Sequence, residues 1–212
     1  MTDLIQTAKE ILLQESRARS KEVWGRKDGI WKSRIWKDGV WDSGTWKDGV
    51  WKDGIWKSGT WKDGEWKTGV WESGAWEGGI WQKGTWKGGT WEGGWWKGGT
   101  WENGTWHLGR WEDGRWRDGI WNGGTWINGT WERGIWKDGL WNGGTWKGGT
   151  WERGIWNGGT WERGIWEDGI WNGGTWKGGR WIKGKILSKK TEEIVDSKVD
   201  PATFYANEAR RP

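Results

Sequence analysis

The chain has no cysteine and very little of several other residue types. Its 212 residues include two prolines and one each of methionine, histidine, phenylalanine and tyrosine. Without cysteine the chain forms no disulfide and offers no thiolate, which is compatible with an intracellular location. The single histidine, His107, has no second histidine with which to build a catalytic triad or a zinc site. We therefore expect a non-enzymatic protein that holds no metal or other cofactor.

Long apolar runs and a strong charge of one sign are also absent. No segment approaches the ~20 apolar residues of a transmembrane helix, and the mixed polar and apolar start of the chain does not predict a signal peptide. The net charge is only +5, with basic and acidic residues interleaved. Such a balance is typical of a solvated surface rather than a nucleic-acid-binding stripe. The sequence therefore predicts no membrane partner.

Tryptophan and glycine are abundant instead, with 33 and 42 residues. From Trp31 to Trp181 every fifth residue is tryptophan, and glycine stands two residues before each ring except at Arg34. The unit is Gly-[Ile/Val/Thr]-Trp-polar-polar. One buried indole removes about 150–250 Å² from water, and at about 25 cal/mol per Å² a regular array of rings can offset the entropy lost by many glycines. The sequence therefore predicts a folded chain.

The period of five predicts neither a continuous strand nor a helix. In a strand, successive tryptophans would point to opposite faces, and in a helix glycine at every fifth position would be unfavourable. An extended triplet that ends in tryptophan, followed by a polar bend, fits the pattern. Two arrangements satisfy it. We expect a β-solenoid with glycine and tryptophan inside, and the alternative is a meander of hairpins with all indoles on one exposed face.

The spacing resembles that of the pentapeptide-repeat family, in which a large central residue follows a small one by two positions. The resemblance covers residues 29–184 and implies an all-β quadrilateral β-helix of about 20 residues per coil. Tryptophan and glycine replace the usual central and small residues, which we interpret as conserving core volume. We expect each buried indole N–H to find a backbone carbonyl. The predicted core is represented by Trp31, Trp61, Trp91, Trp121, Trp151 and Trp181.

The array is also similar to the Trp-Xaa-Xaa-Gly-Xaa-Trp repeat proteins predicted in tailed bacteriophages. This likeness implies a phage origin, and with it a location in the host cytoplasm or the virion.

The number of sides of the coil remains open at this point. A step of four repeat units aligns Thr45, Thr85, Thr105, Thr125 and Thr145 in one column, whereas a step of three units aligns Thr100, Thr130, Thr145, Thr160 and Thr175 nearly as well. Four sides would give nearly eight coils and a rod of about 37 Å, at about 4.8 Å per coil.

The two ends of the chain leave the repeat. Residues 1–22 carry apolar side chains at spacings of three and four, which predicts an amphipathic helix that caps the rod or docks it. The repeat occupies residues 23–185. Residues 186–212 begin where Ile186 replaces the next tryptophan, and we expect them to cap the open end as a short helix or strand.

Four residues are candidates for contact with a partner. Trp95 precedes Trp96 directly and is the one indole expected on the surface. Arg110, Arg115 and Arg117 form the densest basic stretch, although acidic residues are interleaved with them.

The leading functional hypothesis is a non-enzymatic structural or assembly rod with no small-molecule substrate. Its partners would be other copies of itself or other structural proteins, bound through the two ends. The alternative is a binding module for single-stranded nucleic acid or glycan, which would require exposed tryptophans beside lysine and arginine.

Overall fold

The computed structural model describes residues 30, 31 and 34–210, and within them the chain winds as a β-solenoid. Each repeat strand pairs in parallel with the strand three repeat units further along, so that Thr45 lies opposite Thr60 and Trp46 opposite Trp61. The solenoid prediction is confirmed. The meander is excluded, because its neighbouring strands would run antiparallel.

The strands form three sheets, which are the three faces of the rod. Face 1 comprises Ile30–Trp31, Thr45–Trp46, Thr60–Trp61, Ala75–Trp76, Thr90–Trp91, Thr105–Trp106, Ile120–Trp121, Ile135–Trp136, Thr150–Trp151, Ile165–Trp166 and Arg180–Trp181. Face 2 comprises Arg34–Trp36, Gly49–Trp51, Glu65–Trp66, Ile80–Trp81, Trp95–Trp96, Arg110–Trp111, Thr125–Trp126, Leu140–Trp141, Ile155–Trp156, Ile170–Trp171, Gly184–Leu187 and Ile194–Ser197. Face 3 comprises Val40–Trp41, Ile55–Trp56, Val70–Trp71, Thr85–Trp86, Thr100–Trp101, Arg115–Trp116, Thr130–Trp131, Thr145–Trp146, Thr160–Trp161 and Thr175–Trp176.

The coil is therefore triangular, with three repeat units per turn, which corrects the predicted quadrilateral coil of four units. Rings on adjacent sides meet edge to face, as Trp96 and Trp101 do at 6.0 Å between centroids, so three indoles fill the centre of a coil. Four sides would separate opposite rings and leave a central hole, which close-packed interiors avoid. About ten coils at about 4.8 Å each give a rod of about 50 Å.

The core consists of three columns of stacked indoles. Every in-register tryptophan from Trp46 to Trp171 has 0% of its surface exposed. Rings one coil apart lie nearly parallel, as Trp96 and Trp111 do at 4.8 Å and 6°. This separation equals the spacing of neighbouring strands, so backbone pairing sets the stacking distance. Offset-stacked and edge-to-face contacts are the geometries that aromatic rings prefer.

The backbone conformation and the close approach of the previous coil are the main reasons why glycine stands two positions before each ring. Gly89 has φ of +111°, a region that other residues rarely adopt. A Cβ there would lie 2.3 Å from the carbonyl oxygen of Gly74 in the previous coil. At Gly69 a Cβ would also meet Cζ2 of Trp66 at 3.2 Å. Room for the indole, the reason expected from the sequence, is thus a secondary effect.

The bends contain the expected turn residues. The second residue after tryptophan is often Asp or Asn, whose side-chain oxygen accepts a hydrogen bond from the next glycine N–H, as Asp113 does from Gly114 at 2.8 Å. The same contact forms at Asp38, Asp48, Asp53, Asp63, Asn103, Asp118, Asp138 and Asp168. This local bond fixes the corner between two faces.

Most core indole N–H groups lack the acceptors that were expected. Within the described residues, four in-register rings donate to carbonyls, namely Trp81, Trp126, Trp141 and Trp181, at 3.1–3.2 Å. Most of the other rings from Trp51 to Trp171 are buried without a partner for Nε1. An unsatisfied buried donor costs about 1–3 kcal/mol. Burial of the ring contributes about 4–6 kcal/mol and outweighs that loss.

A cap covers the C-terminal end of the stack. Strand Gly184–Leu187 continues face 2, with Ile186 buried opposite Trp171, and then pairs antiparallel with Ile194–Ser197. Helix Pro201–Arg210 follows. Its Phe204 and Tyr205 pack against the core, as do the partly buried Trp176 and Trp181.

The start of this helix satisfies its own backbone. Asp200 accepts a hydrogen bond from the Thr203 N–H at 3.0 Å, which makes it an N-cap residue, and Pro201 occupies the first helical position.

Within residues 34–210 no helix is long and apolar enough to cross a membrane. The predicted N-terminal helix, residues 1–22, lies outside the described residues.

Candidate functional site

The surface of the rod is organised in columns of side chains from successive coils. The residue before each tryptophan and the two after it face outward, and each recurs three units later at about 4.8 Å. Because the indoles lie inside, any recognition must use these columns or the ends.

Face 3 carries one column in which the sign of the charge alternates without a break. It consists of the residues that directly follow tryptophan: Asp42, Lys57, Glu72, Lys87, Glu102, Arg117, Glu132, Lys147, Glu162 and Lys177. Ion pairs join Lys57 to Asp42 at 2.8 Å and Arg117 to Glu102 at 3.1 Å. Hydrogen bonding and attraction to Asp42 raise the pKa of Lys57. The column balances its own charge, so it stabilises stacking of the coils rather than forming a patch for a charged partner.

Trp95 lies on the outer side of face 2, between Ile80 and Arg110 in neighbouring coils. It is half-buried, and two cations approach its ring: Lys97 Nζ at 4.6 Å and Arg110 Cζ at 5.5 Å from the centroid. Arg110 also contacts Glu112 at 3.3 Å. These contacts cover much of the indole with the rod's own side chains.

The other two predicted contact residues lie on a different face. Arg115 and Arg117 belong to face 3, where they pair with Glu132 and Glu102. The structure therefore brings Trp95 and Arg110 together and separates them from Arg115 and Arg117. Partner contact at either place remains a prediction.

An uncharged strip, residues 139–146, 154–161 and 169–176, winds around the corner between faces 2 and 3. Each segment reads Gly-[Leu/Ile]-Trp-Asn-Gly-Gly-Thr-Trp, in register with the next. Its asparagines form a ladder, in which Asn157 Nδ2 donates to Asn142 Oδ1 at 2.9 Å and Asn172 Nδ2 to Asn157 Oδ1 at 2.8 Å. Sequence reasoning missed this strip, although the near-identical segments three units apart were visible.

His107, Ser58 and Ser73 each contact a residue of a neighbouring coil. His107 lies on face 1, where its Nδ1 is 3.3 Å from Asn122 Nδ2. Ser58 and Ser73 donate to carbonyls of the preceding coil, which is ordinary turn bonding. Within residues 34–210 no group of His, Asp or Glu side chains is placed to hold a metal ion.

The cap contains two perturbed ionisable groups. A hydrogen bond from the Ser188 hydroxyl lowers the pKa of Glu208, and the N–H groups of Lys190 and Lys189 assist it. Burial raises the pKa of Tyr205, with a smaller contribution from the Glu208 charge. The Tyr205 hydroxyl donates to the carbonyl of Leu187 at 3.0 Å. These bonds fasten the helix to the end of the solenoid.

A comparison with known protein families finds none that matches the chain, and a comparison with curated proteins likewise finds no match. Three solved structures show a faint likeness at 7% identity over 85% of this chain. They are a protein assigned as an acetyltransferase from Desulfovibrio desulfuricans G20, with a TM-score of 0.15; the polysialic acid O-acetyltransferase OatWY, with 0.14; and the polySia-specific acetyltransferase NeuO, with 0.12. The alignments cover 37%, 98% and 95% of those chains, so this chain spans little more than a third of the first. Scores this low carry no argument about shared architecture or activity.

Proposed function

We propose that this protein is a non-enzymatic structural rod that serves as a rigid spacer or assembly element. The observation that supports this most directly is the unbroken core, since in-register indoles from Trp46 to Trp171 are fully buried and stacked. Each coil contacts its neighbours through three parallel strand pairs, so the rod resists bending along its length.

The surface of the rod supports the same proposal. Charges on face 3 neutralise one another between successive coils, and the bends are held by local hydrogen bonds. These features stabilise a fixed shape. The burial of the indoles supports the rod over the alternative binding module, which needs exposed tryptophans on which bases or sugar rings could stack.

We further propose that assembly uses residues 1–22. The C-terminal end of the solenoid is covered by the antiparallel strand Ile194–Ser197 and by helix Pro201–Arg210, and such covers oppose the addition of another strand. Docking to a second copy or to another structural protein would then occur at the opposite end. The resemblance of the repeat to phage proteins makes a virion or an infected cell the setting that we propose.

Tryptophan fluorescence with a soluble quencher tests the rod against the binding module. The rod requires blue-shifted emission that resists quenching and does not change with oligonucleotides or glycans. Red-shifted, freely quenched emission that responds to either ligand would favour the binding module.

Light scattering tests the assembly step. The mass of the full chain is compared with that of a variant lacking residues 1–22, and the proposal expects a smaller particle for the variant. Identical masses would show that this segment does not mediate self-association.

A further inference from the structure

The tryptophan core forms a continuous array of contacting aromatic rings along the rod. Within each column the centroids of successive rings are 4.7–5.1 Å apart, as for Trp66 and Trp81 or Trp156 and Trp171. Between columns they are 5.6–6.1 Å apart, as for Trp36 and Trp41 or Trp66 and Trp71. We propose that this array carries oxidising equivalents along the rod, from a one-electron oxidant at its surface to Tyr205 in the C-terminal cap.

Orbital overlap between neighbouring rings permits electron hops at each step. Indole is the most readily oxidised aromatic ring among unionised side chains, and every hop along a column joins two identical rings in nearly identical surroundings. Since each ring also meets rings on both adjacent sides of its coil, one damaged position does not interrupt the path.

The oxidising equivalent can move on from an oxidised indole only if that indole keeps its N–H proton. A ring that loses an electron becomes a radical cation, and transfer of its N–H proton to a base would trap the radical there. Most core Nε1 atoms from Trp51 to Trp171 have no hydrogen-bond partner. Apart from these rings, the buried polar side chains of the described residues are Ser188 and Ser197, neither of which is a base. The proton therefore stays on the ring.

Burial also prevents the charge from settling inside the rod. A cation in a dry apolar core is unfavourable relative to one near water. A radical cation on Trp95, the outward indole, would lie beside Lys97 Nζ at 4.6 Å and Arg110 Cζ at 5.5 Å from its ring centroid, which disfavours it. Lys189 Nζ lies 4.4 Å from the Tyr205 ring centroid, but the tyrosyl radical is neutral once its proton has left. The oxidising equivalent is thus driven toward an end where a proton can be released.

Tyr205 provides that end. It is the only tyrosine in a chain with no cysteine and one methionine, Met1, so the repeat contains no sulfur atom that would compete for the oxidising equivalent. Its half-buried ring packs against the core at the end of the stack. Unlike the core indoles, which are fully buried, Tyr205 is partly exposed. Its hydroxyl donates to the carbonyl of Leu187 at 3.0 Å, and on oxidation the proton leaves when this hydrogen bond opens to water.

The reaction balances in electrons and protons. The oxidant takes one electron from an indole, and the resulting vacancy moves by single electron transfers between rings. Tyr205 finally gives one electron to the last ring and its hydroxyl proton to water. The net products are the reduced oxidant, a neutral tyrosyl radical and one proton.

The absence of cysteine allows a direct test on the full-length chain. Residue 43 is exposed and lies two residues after Trp41, and a Ser43→Cys variant is labelled there with a ruthenium polypyridyl complex. Flash photolysis in the presence of an external electron acceptor converts this complex into the one-electron oxidant. Nine coils separate Trp41 from Trp176 on face 3, about 43 Å at about 4.8 Å per coil, which is too far for a single tunnelling step. Electron paramagnetic resonance should detect a tyrosyl radical that disappears in the added variant Tyr205→Phe.

Two controls distinguish conduction through the core from other routes. Replacing seven consecutive tryptophans by phenylalanine, at positions 91, 95, 96, 101, 106, 111 and 116, keeps apolar rings but opens a gap of about 14 Å in each column. The tyrosyl signal from the Ser43 label should fall to the Tyr205→Phe background. A label at Lys177→Cys, beyond the gap, should still produce it. A signal that survives the gap, or a yield that rises with protein concentration, would overturn the proposal.

A second series needs no change in the core. With the label moved coil by coil toward the cap in otherwise intact chains, conduction predicts a tyrosyl yield that changes little with the number of coils. An exponential loss with each added coil, or oxidation that remains confined to rings near the label, would refute it.

Discussion

Two adjacent glycines offer a sharp test of how the solenoid is built. Gly88 and Gly89 follow Lys87 at one corner of the rod, and both are partly exposed. A Cβ at Gly88 would meet nothing nearer than the carbonyl oxygen of Glu72 at 3.7 Å, an ordinary contact. A Cβ at Gly89 would lie 2.3 Å from the Gly74 carbonyl oxygen, on a backbone with φ of +111°.

The two alanine variants should therefore differ widely in stability. Gly88→Ala should leave the free energy of unfolding unchanged or raise it by about 0.4–1 kcal/mol, because the unfolded chain loses freedom. Gly89→Ala adds backbone strain of about 1–3 kcal/mol. It also forces neighbouring coils apart by about 1 Å, which forfeits a large part of the local dispersion energy. We expect a total loss of about 3–5 kcal/mol.

Urea denaturation followed by tryptophan fluorescence measures the difference, and hydrogen exchange of the amides in neighbouring coils shows whether the loss is local. The two variants have the same composition and differ by one position. If Gly89→Ala proves as stable as Gly88→Ala, the positive φ and the close carbonyl oxygen do not explain why glycine precedes each ring.

Three further predictions concern the charge column, the core and the cap. Lys87→Glu places three carboxylates in succession with Glu72 and Glu102. It should lower the free energy of unfolding by about 1 kcal/mol, and by less in 1 M salt. An effect independent of salt would contradict a stabilising role for the charge column. Trp111→Ala should destabilise the rod by about 3–5 kcal/mol in urea denaturation, and a loss below about 1 kcal/mol would mean that the core is loosely packed. Because the folded pKa of Glu208 is lowered from 4.5, its contribution is present above that value and is lost as the pH falls through the folded pKa. The protection of the cap amides, measured as hydrogen exchange relative to the intrinsic rate at each pH, should then fall in acid, and Glu208→Gln should remove this dependence.

The local structure could be predicted well from the sequence. A period of five with β-favouring residues before tryptophan and turn residues after it indicates short strands joined by bends, and the structure has both. Placing the rings inside followed from the size of the indole and the polarity of its neighbours. These inferences rest on single units, in which each residue has one dominant preference.

The number of units per coil depends on which coils stack, and single-unit preferences do not determine it. The threonine columns were ambiguous, because threonine recurs at several spacings. The column from Asp42 to Lys177 is more informative, since its charges alternate in sign without a break only when successive members lie three units apart. That alternation favours a triangular coil on the evidence of the sequence alone.

The cap shows a different limit of sequence reasoning. The pair Asp200-Pro201 begins helix Pro201–Arg210, in which Asp200 is the N-cap residue. An Asp-Pro pair is typical of a helix start as well as of a turn. The outcome depended on Phe204 and Tyr205 finding the uncovered end of the core, which is a tertiary contact.

The three matching segments of the uncharged strip allow the length of the rod to change readily during evolution. Near-identical blocks that recur once per coil are encoded by near-identical stretches of nucleic acid, which recombination and polymerase slippage readily duplicate or delete. Recombination between two such segments adds or removes the fifteen residues from the start of one to the start of the next, which is one whole coil, so every other residue keeps its face and no new interface has to evolve. Related genes should therefore encode rods that differ by whole coils, in steps of about 4.8 Å.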